Sequence, residues 1–396
     1  MREPVSFNDL PALAQHLRDE LENKKFILLY AYNGVGKTRL STQFKNLGKD
    51  AEDEDKRDTL YFNAFTEDLF TWDNDLDNDE LRVLELNTKS NFFDGLGDFE
   101  IENRVRALLD LYADFGFQMD LIYREPTKDE KKPRLEQGRV IFSREVLTGE
   151  GESTRLETEE NIKISRGEER IFIWCFFLAI IEIKLDQDTD AYDWVKYIYI
   201  DDPISSLDEE NTILVATHLA KILKDAGDPP GVVISTHHPL FHNVLWNELK
   251  QKSRRYFLGL DRATGAYLVR NTEATPFFHH VAALIELYDV DQRGSLNTYH
   301  FNSLRAIAEK TASFLGYGNF ADCIKRKADD LEGRLHTRLL HLLSHGGYSI
   351  YEPREMLEDN KREFRGMLHR FLMQYAFNPQ HFPDLQPVAI EDKENE

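Results

Sequence analysis

Eight consecutive residues, Ala31-Tyr32-Asn33-Gly34-Val35-Gly36-Lys37-Thr38, set two glycines, one ammonium and one threonine hydroxyl at the spacing of a phosphate-binding P-loop. Gly36 lets backbone N–H groups approach a phosphate, Lys37 reaches the β- and γ-phosphates, and Thr38 offers a hydroxyl to Mg2+. Asn33, Gly34, Val35 and Arg39 are expected to line the same nucleotide. Ala31 departs from the pattern, which usually opens with glycine. Far downstream, Asp201 and Asp202 follow the buried-strand pattern Tyr197-Ile198-Tyr199-Ile200. A carboxylate at such a strand end, Asp201, can hold the Mg2+ hydration shell together with Thr38, and Asp202 is then placed to orient the attacking water. His237 closes a second buried strand, Val232-Val233-Ile234-Ser235-Thr236, where it is expected to sense the γ-phosphate. A lone histidine is more often structural, but this position after the two acids favours the functional reading. The chemistry implied is hydrolysis of ATP or GTP with Mg2+.

Two further motifs resemble those of ABC-type ATPases. Pro203-Ile204-Ser205-Ser206-Leu207-Asp208 matches the D-loop, in which a turn presents Ser and Asp208 across a dimer interface. Ile164-Ser165-Arg166-Gly167-Glu168-Glu169 opens an apolar helix and is similar to the signature motif, so Ser165, Arg166, Gly167 and Glu168 are expected to meet the γ-phosphate held by a second subunit. Ser165 would cap that helix, whose free N–H groups suit an anion. A P-loop and a signature motif on one domain cannot close on the same nucleotide. A head-to-tail homodimer with two composite sites follows, and whether two dimers pair into a tetramer is left open. Most of that class has Glu where Asp202 stands, which leaves the rate of hydrolysis open.

These residues need an α/β frame. The spacing predicts a helical lead-in over 1–24, a buried strand at Phe26-Ile27-Leu28-Leu29-Tyr30, and a helix from Arg39 to Asn46. TLYFNAFTEDLFTW begins with strand-like aromatics and resembles the nucleotide-sensing segment of ABC-type ATPases. The acidic stretches 48–58 and 73–80 read as solvated loops. Residues 100–117 carry helical spacing, 137–146 and 153–164 suggest strands, and 169–185 is an apolar run of helical length.

With 396 residues, the chain is long enough for an ABC-type P-loop NTPase domain over 1–270 and a smaller, mainly α-helical domain over 271–396. The formal charge of -22 argues against a surface wholly given to a nucleic-acid backbone. Any such surface must be local. Cys175 and Cys323 fit neither a disulfide framework nor a zinc site. The N-terminus lacks a basic-then-apolar leader, and no apolar run reaches the roughly 18 residues that span a bilayer, so a cytoplasmic protein with no membrane partner is expected. The tail beyond Pro383 is acidic and reads as disordered.

The region beyond residue 270 is nearer charge balance. Arg305 and Glu309 fall at i and i+4 of a helix-like segment, FNSLRAIAEKT, and a structural ion pair is the default reading. His345 stands in LLSHGG at a helix end, where a capping arrangement is common.

LLYAYNGVGKTRLS, LYFNAFTEDLFTWDND, SRGEERIFIW, YIYIDDPISSLD, STHHPLFHNVLWNEL and YHFNSLRAIAEKTASFLGY together resemble, in order and spacing, the PrrC-type anticodon nucleases. The resemblance runs from about residue 24 to 350. It implies a latent endoribonuclease that cuts tRNA in the anticodon loop, usually lysine tRNA on the 5′ side of the wobble base. It also implies a type I restriction-modification complex that keeps the enzyme silent until phage disable it, hydrolysis of GTP or ATP for activation, and dTTP as a stabiliser of the active form. Carried over residue by residue, the nuclease triad is Arg305, Glu309 and His345; His341 lacks the Ser-His context. Cleavage by the ribose 2′-OH leaves a 2′,3′-cyclic phosphate and a 5′-OH, and needs a base, an acid and a cation. Residues 262–280, where the family reads the anticodon, carry no strong motif match, so a tRNA other than lysine tRNA stays in view. Two other readings are a regulatory ATPase of a phage-defence system acting through a separate effector, and a DNA-end-processing ATPase.

Overall fold

The computed structural model describes residues 4–49, 57–63, 70–73, 82–88, 93, 100–125, 133–148, 155–186, 192–204, 209–261, 264–273, 279–324, 356–383 and 385. In chain order the elements are β1 (Val5–Phe7), α1 (Leu10–Asn23), β2 (Phe26–Tyr30), α2 (Lys37–Asn46), β3 (Thr59–Asn63), β4 (Phe70–Asp73), β5 (Val83–Leu86), α3 (Ile101–Leu109), β6 (Gly116–Arg124), β7 (Arg134–Thr148) and β8 (Arg155–Glu160). They continue as α4 (Arg166–Leu185), β9 (Tyr197–Asp201), α5 (Glu209–Asp225), β10 (Gly231–Thr236), α6 (Pro239–Leu249), β11 (Ser253–Leu260), β12 (Tyr267–Asn271), α7 (His279–Gln292), α8 (Tyr299–Leu315) and α9 (Glu358–Gln374). The chain divides into one unit of Phe7–Gly259 and another of Met1–Ser6 with Leu260–Glu396.

In the first unit, five strands run parallel in the order β11-β2-β10-β9-β3. Every residue of β2 is buried, as the uninterrupted run FILLY requires of a central parallel strand. A second, antiparallel sheet is ordered β4-β5-β7-β6, with β8 paired to β7. Helix α4 packs against both sheets: Trp174 and Phe177 meet Phe62 of β3, while Phe172 and Phe176 meet Phe70, Phe117 and Phe142 of the antiparallel sheet. That double contact explains why α4 is apolar nearly all round and buries Ile171 through Ile181 without a break. No helix among the described residues is long and apolar enough to cross a membrane.

Two sequence expectations change. The lead-in is a short strand, β1, followed by a helix that starts only at Leu10, where Asp9 Oδ1 accepts the Ala12 N–H at 2.8 Å and caps it. The helical spacing over 100–117 ends at Leu109. Phe117 and Met119 are buried and alternate with exposed Gln118 and Asp120, the period of a strand, and β6 forms there. The loops expected over 48–58 and 73–80 lie largely outside the described residues, as does the tail from 386.

One partly buried ion pair ties α1 to Asp58, the residue before β3. Arg18 donates to both oxygens of Asp58 at 2.7 and 3.0 Å and to the Phe44 carbonyl at 2.7 Å, with its guanidinium 4.6 Å from the Phe44 ring and 4.5 Å from that of Tyr197. Burial raises the Asp58 carboxyl, but the hydrogen bonds from Arg18 and Thr59 overcome this and hold it below the ordinary carboxylate range. Asp58→Ala leaves the Arg18 guanidinium with the Phe44 carbonyl and the Thr59 hydroxyl alone among these acceptors, and should cost about 1.5–3 kcal/mol in denaturant unfolding at neutral pH. Because the folded pKa is the lower one, this stability is complete above the unfolded value, near 4, and is lost as pH falls through the folded one. An acid titration of the melting midpoint reads that loss, and it should be absent in the variant.

In the second unit, Leu284, Leu287 and Tyr288 of α7, Phe301, Leu304 and Ile307 of α8, and Phe364, Leu368 and Phe371 of α9 form one core. Asp291, buried near the C-terminal end of α7, accepts Arg365 Nε of α9 at 2.8 Å.

Candidate functional site

The P-loop leaves the C-terminal end of β2 at the crevice where an open parallel sheet binds ligands. Gly34 and Gly36 take φ of 82° and 110°, left-handed values open to glycine at no steric cost. Ala31 is fully buried and outside that region, so the methyl group at the usual glycine position causes no backbone strain. Gly36 caps α2, whose first residue is Lys37. The Lys37 ammonium lies 3.2 Å from the Ala31 carbonyl, 3.4 Å from that of Tyr32, 3.1 Å from Asn33 Oδ1 and 3.5 Å from Asp202 Oδ2. It is thus held at the mouth of its own loop. Thr38 and Arg39, the next two positions, are exposed.

Strand pairing brings the acids to this loop. β9 lies beside β10, and β10 beside β2, so Asp201 stands at the sheet's end with no solvent exposure. Ser235 Oγ donates to Asp201 Oδ1 at 2.6 Å, and Ser41 Oγ reaches Oδ2 at 3.4 Å. Burial pushes the Asp201 carboxyl up and the neighbouring Asp202 adds to it, against the hydroxyls of Ser235 and Thr38 and the charge of Lys37. A buried carboxylate beside a second one, with an exposed threonine hydroxyl at hand, is a hard-oxygen donor set suited to Mg2+. Thr38 and Asp201 therefore fit that ion.

Asp202 takes φ of 53° as the chain turns out of β9. Its carboxylate meets His237 Nδ1 at 2.6 and 2.7 Å, the His237 backbone N–H at 3.2 Å and Thr236 Oγ1 at 3.3 Å. Burial opposes ionisation, but His237 and then Lys37 outweigh it and hold the carboxyl below its usual range. The structure thus brings Lys37, Asp201, Asp202 and His237 together at one sheet end. His238 follows and caps α6, accepting the Phe241 N–H at 3.4 Å.

Ser165 caps α4 in a reciprocal box: its Oγ accepts the Glu168 N–H at 3.3 Å, and Glu168 Oε2 accepts the Ser165 N–H at 2.7 Å. Glu168 is also paired with Arg144, which lies 3.5 Å from Asp114. Burial raises the Glu168 carboxyl, and the Ser165 and Arg144 contacts more than reverse it. Its charge is therefore engaged within the subunit, while Ser165 and Arg166 are exposed. Asp208 lies outside the described residues.

In the second unit, Arg305 Nε donates to Glu309 Oε1 at 2.7 Å across one turn of α8, and the Arg305 guanidinium lies 5.4 Å from the Phe320 ring. Both side chains are partly exposed. His345 and His341 lie outside the described residues. Sequence reasoning assigned no role to Ser235, Thr236, Ser41 or Arg144; the two hydroxyls immediately before His237 were the available signal.

This arrangement on a parallel sheet defines a P-loop NTPase of α/β class with a helical C-terminal region. Residues 150–372, more than half the chain, match the AAA domain family. The anticodon nuclease of Escherichia coli is 33% identical over 358 residues, which is 83% of this chain and 84% of that protein. The chain belongs to the anticodon nuclease family. A solved Smc head domain with a coiled coil and joint from Pyrococcus yayanosii aligns with 43% of this chain and 26% of its own length at 12% identity and a TM-score of 0.26. An SmcHead bound to the C-winged helix domain of ScpA aligns with 63% of this chain and 91% of its own at 13% identity and a TM-score of 0.32. Neither likeness is close enough to argue from.

Proposed function

We propose that this chain is an NTP-gated endoribonuclease that cuts the anticodon loop of a tRNA, with lysine tRNA cut 5′ of the wobble base as the first expected substrate. The observation that carries this reading is the match to an anticodon nuclease along more than four-fifths of both chains. Residues 1–270 would hydrolyse the nucleotide and 271–396 would cut.

Lys37 would take the β- and γ-phosphates, leaving its own loop carbonyls to do so. Thr38 and Asp201 would hold Mg2+, which when bound neutralises charge between the phosphates. Asp202 would orient the attacking water, and His237, already on its carboxylate, would read the γ-phosphate. Asn33, Gly34, Val35, Gly36 and Arg39 would line the nucleotide on one subunit of a cytoplasmic homodimer. Ser165, Arg166, Gly167 and Glu168, with Asp208, would close it from the other. The nucleotide is GTP or ATP, with dTTP as a stabilising ligand of the active form.

At the nuclease site, Arg305 would grip the scissile phosphate with its planar fork. Glu309 and His345 would share two proton transfers, one removing the proton of the ribose 2′-OH and the other protonating the departing 5′-oxygen. The P–O bond to the 2′-oxygen forms as that to the 5′-oxygen breaks, leaving a 2′,3′-cyclic phosphate and a 5′-OH. A type I restriction-modification complex would hold the enzyme silent until phage disable it.

The test is expression of the wild type and of His345→Ala in bacteria, with sequencing of 5′-hydroxyl RNA ends. Ends confined to one anticodon loop and lost in the variant are expected. Intact tRNA under activating conditions would overturn the reading.

A further inference from the structure

We propose that Ser235 is the positioning residue that sets the affinity of the nucleotide site for its divalent cation, a role that rests on Thr38 and Asp201 being the cation's protein partners. Its basis is strand register. β9 and β10 are parallel neighbours in which Ser235 stands opposite Asp201, so the two side chains leave the same face at the ligand-binding end of the sheet. Ser235 Oγ donates to Asp201 Oδ1 at 2.6 Å, and both residues are wholly buried. That bond occupies one carboxylate oxygen. The other accepts a long 3.4 Å contact from Ser41, the Thr38 hydroxyl also reaches the carboxylate, and this second oxygen is the one that would be offered to a cation.

The adjoining positions repeat the pattern. Thr236 Oγ1 donates to Asp202 Oδ1 at 3.3 Å, and the Ser235 carbonyl accepts the Asp202 N–H at 2.8 Å. Two consecutive hydroxyls therefore face two consecutive acids across the sheet, and Ser235 touches both acids. Without its hydroxyl, the Asp201 carboxylate loses the 2.6 Å hydrogen bond and can turn about its terminal torsion, which is broad for Asp. It is then a poorly oriented ligand in a site that demands near-ideal octahedral geometry. Partners of this kind, which orient a metal ligand without touching the metal, are worth about 10- to 100-fold in metal affinity.

The experiment uses the full chain with a non-hydrolysable ATP analogue and titrates Mn2+, with free Mn2+ read by electron paramagnetic resonance. Ser235→Ala should weaken Mn2+ binding by about 10- to 100-fold, while affinity for the analogue in EDTA stays at the wild-type value. Ser235→Cys keeps a side chain of similar size with a poor donor; it should show the same loss, and it carries the test if the alanine variant does not fold. Equal Mn2+ affinity in wild type and variants overturns the proposal. So does an equal loss of analogue affinity in EDTA, which would make Ser235 a general support of the loop. A wild-type chain that binds the analogue but holds no Mn2+ instead overturns the assignment of Thr38 and Asp201, and the role of Ser235 with it.

Discussion

An Asp202→Asn variant is expected to hydrolyse ATP and GTP about 10²- to 10⁴-fold more slowly than the wild type, the usual contribution of a positioned proton acceptor, while still binding nucleotide. Asparagine is the informative replacement because residue 202 has φ of 53°, a conformation that asparagine tolerates and alanine does not favour. Its amide oxygen can still accept from the His237 N–H and Thr236 Oγ1, the bonds seen at 3.2 and 3.3 Å. The negative charge is removed, and with it one of the two oxygens that meet His237 Nδ1 and the capacity to take a proton from water. The same change frees Lys37, now 3.5 Å from the carboxylate, so affinity for the triphosphate should hold or rise. Single-turnover hydrolysis, with fluorescent-nucleotide binding measured alongside, separates the two effects. An unchanged rate would remove Asp202 from the chemistry.

The second large effect is expected at α8. Arg305→Ala should lower anticodon cutting by about 10²- to 10³-fold, as loss of a charge-stabilising donor does at other sites, and leave nucleotide hydrolysis at the wild-type rate. The fold gives room for this test. The Arg305–Glu309 pair is partly exposed and spans one helical turn, so it is worth roughly 0.5 kcal/mol, and the contact with Phe320 adds about 0.5–1 kcal/mol. A lost activity with a melting midpoint lowered by only a few degrees would therefore report chemistry. Arg305→Lys keeps the charge but not the two-pronged geometry and should recover only part of the rate. Cutting by Arg305→Ala at the wild-type rate would return the pair to a plain helix ion pair. Hydrolysis that failed together with cutting would show that the residue supports the whole chain rather than the nuclease.

Much of the proposed nucleotide site is legible in the sequence because its parts are short contiguous runs. The apolar FILLY and YIYI patterns mark buried strands, the glycines at 34 and 36 mark positive-φ turns, and Asp201, Asp202 and His237 follow directly on strand ends. Ser165 likewise announces its helix through the capping box with Glu168 three residues on. Local stereochemistry dictates these features, and they read the same in any tertiary setting. The residues proposed for the nuclease site were less legible. Arg305 and Glu309 are, by spacing alone, an ordinary i, i+4 pair, and only family resemblance singled them out.

What the chain could not disclose by itself depends on residues distant in sequence becoming neighbours. Ser235 serves Asp201 because β10 settled beside β9 in one particular register, and a shift of a single residue would have turned its hydroxyl to the other face. Arg18 meets Asp58 forty positions away, and nothing in the acidic sequence around Asp58 distinguishes that carboxylate from the others in the stretch. The apolar breadth of α4 signalled burial, but only packing decided that a parallel sheet would cover one side of it and an antiparallel sheet the other. Over 100–117 the helical spacing was overridden once β6 could pair with β7 and bury Phe117 and Met119. Propensity and pattern are properties of a short window of chain, whereas hydrogen-bond partners and buried charge pairs exist only when the whole chain has closed on itself.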